Sequence, residues 1–199
     1  MHTANVDPSR VLLVAQSLGT AVGMGVAATY AEKHPDAPLA GIVTIAAFTS
    51  LRKLLGSYRL GGVIPLLAPV AVVPGLLDWL LRGCLHAEFN SEERLLRVRE
   101  LTRGTGFTVT LVHAVNDWEI SVGQSRRLYE VAVAGEDVVE VGLSDCRVRR
   151  NERGDVRLVE AVWGGHNEVQ KSDVVVRAVM DAWRVASVRE GSGDLVQFN

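Results

Sequence analysis

A short apolar run near the start of the chain leads directly into a stretch of small residues. Residues 11–15 have the composition of a buried β-strand, and Leu18–Lys33 have that of a helix. Ser17 lies at the junction, with Ala15 and Gly19 two positions away on either side. A sharp turn from a strand into a helix needs small residues there, and it lifts the central side chain above the edge of a sheet. The segment therefore predicts a nucleophile elbow at Ser17; an ordinary strand-to-helix junction is the alternative.

The rest of the chain continues to alternate strand-like and helix-like runs. The further predicted strands are 41–46, 108–112 and 156–162, and the further predicted helices are 122–134 and 172–188. This alternation is typical of a parallel sheet with helices on its faces. We therefore expect a single α/β domain over residues 1–190, followed by a mobile tail at 191–199.

The composition argues against several classes of function. The chain has 199 residues, 48% of them hydrophobic, and a net charge of −2, so no basic surface for nucleic acid is expected. Cys84 and Cys146 form neither a disulfide framework nor a metal motif, and no glycine-rich nucleotide motif follows the first strand. Residues 1–10 lack the pattern of a signal peptide. We expect no cofactor or metal and a reducing location, cytoplasmic or membrane-associated through an N-terminal anchor absent from this chain.

Two further polar residues follow predicted strands. Asp117 comes after strand 108–112, and His166 comes after strand 156–162 in a loop that begins with two glycines. A serine hydroxyl is a poor nucleophile unless an imidazole accepts its proton, and a carboxylate can hold that imidazole in the right tautomer. The chain order of Ser17, Asp117 and His166 therefore predicts a proton relay.

Each of these residues also has a simpler interpretation. Asp117 follows Asn116, and both residue types are common in turns. His166 taken alone is equally consistent with a solvated loop histidine. His113 is a second candidate base, but it lies only four residues before Asp117, at the end of a strand, so we expect a structural role for it.

Together these segments resemble the lipase branch of the α/β-hydrolase superfamily, which includes membrane-anchored lysophospholipases, monoacylglycerol lipases and their fungal relatives. The matching segments are 6–10, 16–20, 111–117 and 164–166, and they span most of the chain. The resemblance implies Ser17 as the nucleophile, Asp117 as the acid and His166 as the base. It also implies that the backbone N–H of Leu18 is one donor of an oxyanion hole.

The chain departs from this family at its beginning. Family members place four strands before the nucleophile elbow, and a loop after the third strand supplies the second oxyanion donor, yet here the elbow strand begins at residue 11. We therefore expect the C-terminal part of an α/β-hydrolase fold. Because one missing oxyanion donor costs about 3 kcal/mol of transition-state stabilisation, a weakly active or inactive fragment is one outcome that the sequence leaves open.

An uncharged segment lies between the predicted strands 41–46 and 108–112. Residues 60–77 carry no charge and contain three prolines, which argues against a transmembrane helix. The resemblance implies a cap over the nucleophile at this point of the chain, so we expect an apolar cap insertion at about residues 52–106. Such a cap would favour long acyl chains and would allow peripheral contact with a membrane. An apolar segment with no substrate role is the alternative.

A charged segment follows helix 122–134. Residues 143–157 contain five arginines and a turn-like sequence, so they predict a charged hairpin next to the last strand. Such hairpins are usually solvated surface, and weak docking to anionic headgroups is the alternative.

The sequence therefore favours a serine hydrolase that cleaves carboxylic esters, most simply lipid acyl esters, through an acyl-enzyme. A serine peptidase of the same fold is the first alternative, because it uses the same three residue types. A catalytically incomplete fragment is the second. The expected substrate of the favoured serine hydrolase is a small-molecule or lipid ester.

Overall fold

The computed structural model describes residues 6–51, 54, 59–60, 64–65 and 89–190. Most of the predicted cap insertion and the predicted tail at 191–199 lie outside these residues. The strands are β1 (Leu12–Gln16), β2 (Gly41–Ile45), β3 (Arg59–Leu60), β4 (Ile64–Pro65), β5 (Thr108–Ala114), β6 (Val138–Gly142), β7 (Cys146–Asn151) and β8 (Val156–Ala161). The helices are α1 (Leu18–Lys33), α2 (Ser91–Leu101), α3 (Val122–Ala132), α4 (Gly165–Glu168) and α5 (Asp173–Glu190).

Six of the strands form one sheet in the order β1-β2-β5-β8-β7-β6. The first four run parallel, and β7 and β6 are antiparallel to their neighbours. Strands β3 and β4 form a separate antiparallel pair. The prediction of an α/β fold with a mostly parallel sheet and flanking helices is confirmed.

Helices cover both faces of this sheet. One face packs against α1, α2 and α3, and its buried side chains include Met24, Ile42, Leu95, Leu111, Leu128 and Leu158. The other face packs against α5, and its buried side chains include Val43, Val112, Val159, Val175 and Ala182. Because successive residues of a strand point to opposite faces, strands β2, β5 and β8 need apolar residues at nearly every position. Most residues of these strands are apolar, and the ionisable exceptions, His113 in β5 and Arg157 and Glu160 in β8, have polar partners.

Helix α1 approaches the sheet closely through its small residues. A Cβ added at Gly23 would lie 3.0 Å from the Cβ of Ala15 in β1 and 3.3 Å from Ile42 in β2. A larger residue at this position would push the helix away from the strands. The glycine therefore sets how near the beginning of α1 lies to the end of β1.

The turn between β7 and β8 contains a buried ionic cluster. The guanidinium group of Arg99 in α2 donates to Asp155 at 2.9 Å and to Glu136 at 3.1 Å. Asn151 donates its amide to the same two carboxylates, and its side-chain oxygen accepts the backbone N–H of Val156. These contacts attach the hairpin to α2 and to the loop after α3.

None of the helices in the described ranges is both long enough and apolar enough to cross a membrane.

We expect replacement of Asn151 by alanine to destabilise the fold. Asn151 is fully buried, and its loss leaves the buried Asp155 and the partly buried Glu136 each with one donor fewer, and the Val156 N–H without its acceptor. The expected loss is about 2–3 kcal/mol in the free energy of unfolding, measured by urea denaturation. The matched control is Glu152→Ala at the next, exposed position, which should change this free energy by less than about 0.5 kcal/mol. Equal effects of the two substitutions would contradict this prediction.

Candidate active site

Ser17 lies in a strained turn between β1 and α1. Its backbone has φ 50° and ψ −125°, a left-handed conformation that residues other than glycine rarely adopt. The Ser17 N–H donates to the carbonyl of Ile45 at 2.8 Å, and the Thr20 hydroxyl donates to the Ser17 carbonyl at 2.6 Å. Strain of this kind costs on the order of 1–3 kcal/mol and persists only where neighbouring contacts hold it. The turn places the serine hydroxyl at the carboxyl edge of the sheet.

The structure brings Ser17, Asp117 and His166 together. The Nε2 atom of His166 lies 3.0 Å from the Ser17 hydroxyl oxygen, and its Nδ1 atom lies 2.9 Å from Oδ2 of Asp117. The three residues follow β1, β5 and β8, and the carboxyl ends of these parallel strands share one edge of the sheet. One imidazole ring therefore connects a hydroxyl to a carboxylate.

The carboxylate of Asp117 is buried and held from two sides. Its Oδ1 atom accepts the backbone N–H groups of Glu119 and Ile120, each at 2.9 Å. Burial alone would raise the pKa of Asp117, but the hydrogen bonds from His113, His166 and the Ile120 N–H outweigh it and hold the pKa well below its ordinary value. Asp117 is therefore ionised at neutral pH.

The loop that carries His166 depends on glycine. Gly164 has φ 132°, and a Cβ at this position would lie 2.6 Å from Cα of Val169. The loop is tied to its neighbours, because the Gln16 side chain donates to the His166 carbonyl at 3.2 Å and the Gly165 N–H donates to the Asn116 side chain at 2.9 Å. Sequence reasoning assigned no role to Gln16 or Asn116, although each directly precedes a candidate site residue.

The electrostatic environment favours a basic imidazole at His166. The hydrogen bond to Asp117 raises the pKa of His166, and burial opposes that rise. The proton on Nδ1 points at the carboxylate, which leaves Nε2 free to accept the proton of Ser17.

Leu18, the predicted oxyanion donor, is the first residue of α1. The N–H groups of the first helical turn have no partner within the helix, and the helix dipole is positive at this end. The Leu18 N–H therefore belongs to a group of donors suited to an oxygen that becomes negative beside Ser17.

His113, the alternative base, does not contact Ser17. It is fully buried, and its ring hydrogen bonds to the Ser125 hydroxyl and the Ile120 carbonyl. Its Nε2 atom also lies 3.4 Å from Oδ2 of Asp117. The ring therefore lies against the candidate acid rather than the candidate nucleophile.

Large apolar side chains are exposed next to the three residues. Trp118 is 77% exposed and directly follows Asp117, and Trp163 is 76% exposed and lies three positions before His166. The side chain of Leu18, next to Ser17, is 52% exposed. These three residues are called the apolar rim below. Sequence reasoning missed both tryptophans, although each lies in a loop that carries a candidate site residue.

No group of three or more histidine, cysteine, aspartate or glutamate side chains in the described ranges has the arrangement of a metal site. The arrangement of Ser17, His166 and Asp117 needs no metal to activate a hydroxyl, because the imidazole itself can accept the proton.

No protein-family model and no curated protein sequence matches the chain. Comparison of structures finds similarity to the esterase domain of a protein from Rhodothermus marinus, with 17% sequence identity and a TM-score of 0.45, over 90% of this chain and 59% of that one. A Pyrococcus horikoshii acylaminoacyl peptidase matches with 10% identity and a TM-score of 0.48, over 98% of this chain and 26% of the peptidase. A Paleococcus ferrophilus monoacylglycerol lipase matches with 18% identity and a TM-score of 0.41, over 89% of this chain and 68% of the lipase.

Proposed function

We propose that this chain carries the catalytic residues of a serine hydrolase of the α/β-hydrolase superfamily, which cleaves carboxylic esters. The observation that carries the proposal is the position of the His166 ring, 3.0 Å from the Ser17 hydroxyl on one side and 2.9 Å from the Asp117 carboxylate on the other. This is the geometry that a hydroxyl needs in order to lose its proton as it attacks a carbonyl carbon.

In the first half of the reaction, the Ser17 oxygen attacks the carbonyl carbon of the ester while Nε2 of His166 accepts the serine proton. The carbonyl oxygen becomes negative and lies against the Leu18 N–H. When the intermediate collapses, the bond to the alcohol oxygen breaks, and His166 returns the proton to that oxygen. The alcohol leaves, and the acyl group remains on Ser17.

In the second half, a water molecule attacks the acyl group and loses a proton to His166. The bond between the acyl carbon and the Ser17 oxygen breaks, and His166 returns the proton to that oxygen. Asp117 stays ionised throughout, because its low pKa keeps the proton on the imidazole. The carboxylate therefore stabilises the imidazolium that forms in each half.

Within this proposal, the preferred substrates are esters of apolar acyl groups. The apolar rim of Trp118, Trp163 and Leu18 exposes aromatic and aliphatic side chains, and each of the three lies within three positions of a candidate site residue in the sequence. Apolar contact of this kind stabilises an acyl chain by about 0.8 kcal/mol for each methylene removed from water. The rim also supports the narrower proposal of a lipase that acts on monoacyl lipids and contacts a membrane surface peripherally, since tryptophan is favoured at such interfaces.

We expect a fluorophosphonate probe to label Ser17. The reagent forms a bond to an activated serine oxygen and needs the same proton transfer to His166. Ser17→Ala should abolish the label, as read by intact-protein mass spectrometry, and Ser187→Ala, at an exposed serine of α5, should leave it unchanged. A folded chain that takes no label would contradict the proposal and favour the catalytically incomplete fragment.

We expect the labelling rate to rise with pH through the pKa of His166, because only the neutral ring can accept the serine proton. Since Asp117 raises that pKa, the midpoint of the wild-type profile should lie above the ordinary histidine value of about 6.5. Asp117→Asn should lower both the midpoint and the maximal rate, the latter by about 10³–10⁴-fold.

The matched control for that substitution is Asp36→Asn, at an exposed position of the loop after α1. It should leave the rate and midpoint at the wild-type values. An Asp117→Asn profile with the wild-type midpoint would show that the carboxylate does not act on His166.

We expect the apolar rim to matter more for long acyl groups than for short ones. The double substitution Trp118→Ala and Trp163→Ala should lower kcat/KM for p-nitrophenyl octanoate about tenfold more than for p-nitrophenyl acetate, because the longer chain loses apolar contact. Val176→Ala, an exposed apolar residue of α5, serves as the control and should lower neither. Equal losses for the two esters would contradict this role, and faster cleavage of an aminoacyl amide would favour a peptidase.

A further inference from the structure

A second imidazole contacts the candidate acid from inside the fold. The side chain of His113, in β5, has no exposed surface. Its Nε2 atom lies 2.8 Å from the carbonyl oxygen of Ile120 and 3.4 Å from Oδ2 of Asp117. Its Nδ1 atom lies 2.7 Å from the hydroxyl of Ser125 in α3. The acid is therefore flanked by two histidines, of which the proposed mechanism uses one.

The hydrogen-bond partners of His113 determine where its proton lies. A carbonyl oxygen can only accept, so the short contact with Ile120 requires a proton on Nε2. The Ser125 hydroxyl lies 2.7 Å from Nδ1 and 3.3 Å from the Ala47 carbonyl oxygen, so its single proton can be directed to the nearer acceptor, Nδ1. The same N–H on Nε2 faces Oδ2 of Asp117 at the longer distance of 3.4 Å.

The side-chain contacts of Asp117 organise the turn at residues 117–120, which lies beside the Nε2–H group of His113. Oδ1 accepts the backbone N–H groups of Glu119 and Ile120, and Oδ2 lies between His113 and His166. Ile120 takes part twice, because its N–H donates to Asp117 while its carbonyl accepts from His113. Without the Nε2–H group of His113, the Ile120 carbonyl would lose its donor, and Oδ2 of Asp117 would lose one of its two histidine neighbours.

We propose that His113 is a positioning residue, which directs Oδ2 of Asp117 toward His166 by donating its Nε2–H to the turn at residues 117–120. This inference rests on the proposed function, since positioning matters only if the carboxylate acts on His166. Ser125 holds the ring from the opposite side and so transmits the position of α3 to the acid.

Two acidic residues neighbour His113, one in the loop after β5 and one in β8. Asp117 is the ionised group of its own loop, and Glu160, the neighbour of His113 in β8, points to the same face of the sheet. Glu160 is paired with Arg126 of α3 at 2.6 Å and with Arg149 of β7 at 2.9 Å. The charge of Glu160 is therefore balanced by these two arginines.

Two amide substitutions at residue 113 separate a positioning role from a packing role. The amide nitrogen of a glutamine reaches nearly as far as Nε2 of a histidine, whereas that of an asparagine reaches only as far as Nδ1. His113→Gln should therefore keep the donor to the turn, and His113→Asn should keep only the contact with Ser125. If His113 served only in packing, His113→Asn would lower the stability of the fold more than His113→Gln, and neither substitution would change the pKa of His166.

The first readout is the titration of the His166 ring, followed by NMR, which needs no substrate. In His113→Asn we expect the pKa of His166 to fall toward the ordinary value of about 6.5, because Asp117 no longer holds its position. In His113→Gln we expect the wild-type pKa. His34→Asn, at the exposed end of α1, is the matched control and should not change it.

The second readout is the rate of fluorophosphonate labelling. We expect a fall of about 10–100-fold in His113→Asn and a rate within about threefold of wild type in His113→Gln. If wild-type protein is labelled at Ser17 while both variants titrate and react like wild type, the inference fails and the proposed function stands. If wild-type protein takes no label, the proposed function is contradicted, and the inference that rests on it fails as well.

A measurement on the wild-type protein covers the case in which neither variant folds. The ¹⁵N chemical shifts of the His113 ring report which nitrogen carries the proton. The inference requires a proton on Nε2, and a neutral ring with its proton on Nδ1 alone would overturn it.

Discussion

The whole site depends on four neighbouring strands that run in the same direction. Parallel pairing of β1, β2, β5 and β8 brings their carboxyl ends to one edge, so that Ser17 meets a histidine 149 positions later in the chain. A shift of one residue in any of these pairings would turn every side chain of that strand to the opposite face. The apolar layers on both faces prevent such a shift, and they thereby fix the distances at the edge as well as the stability of the core.

At that edge, hydrogen bonds between loops add to the close packing of Gly164 against Val169. The unfavourable φ of Ser17 is held by the carbonyl of Ile45, and the loop of His166 is held by side chains from two other strand ends. Each loop is therefore fixed by a neighbour that belongs to a different part of the sequence. Displacement of one loop would disturb the polar contacts of the next, and this interdependence keeps three reactive groups within hydrogen-bonding distance.

Much of this arrangement could be predicted from residues 11–20, because a short apolar run, a serine and small neighbours permit few local structures. The strand at 41–46 is predictable because nearly all of its residues are apolar, and those at 108–112 and 156–162 because they are rich in β-branched and aliphatic residues. The surroundings of His113 were not predictable, because its partners Ser125 and Ile120 lie on elements whose packing only the fold determines. The buried pairing of Arg99 with Asp155 was missed for the same reason, since 56 positions separate them and charged residues usually face solvent.

The three reactive groups differ in how firmly their strands are embedded. Asp117 and His166 follow β5 and β8, each of which has a paired strand on both sides, whereas Ser17 follows β1, one of the two edge strands of the sheet in the described part of the chain. Val14 in β1 is 53% exposed, while every residue of β5 is buried. Segments with fewer buried contacts open to solvent at lower free energy. Local fraying of β1 would therefore withdraw the Ser17 hydroxyl together with the Gln16 side chain that holds the His166 carbonyl, which makes the order of this single turn the most sensitive reporter of whether the relay is assembled.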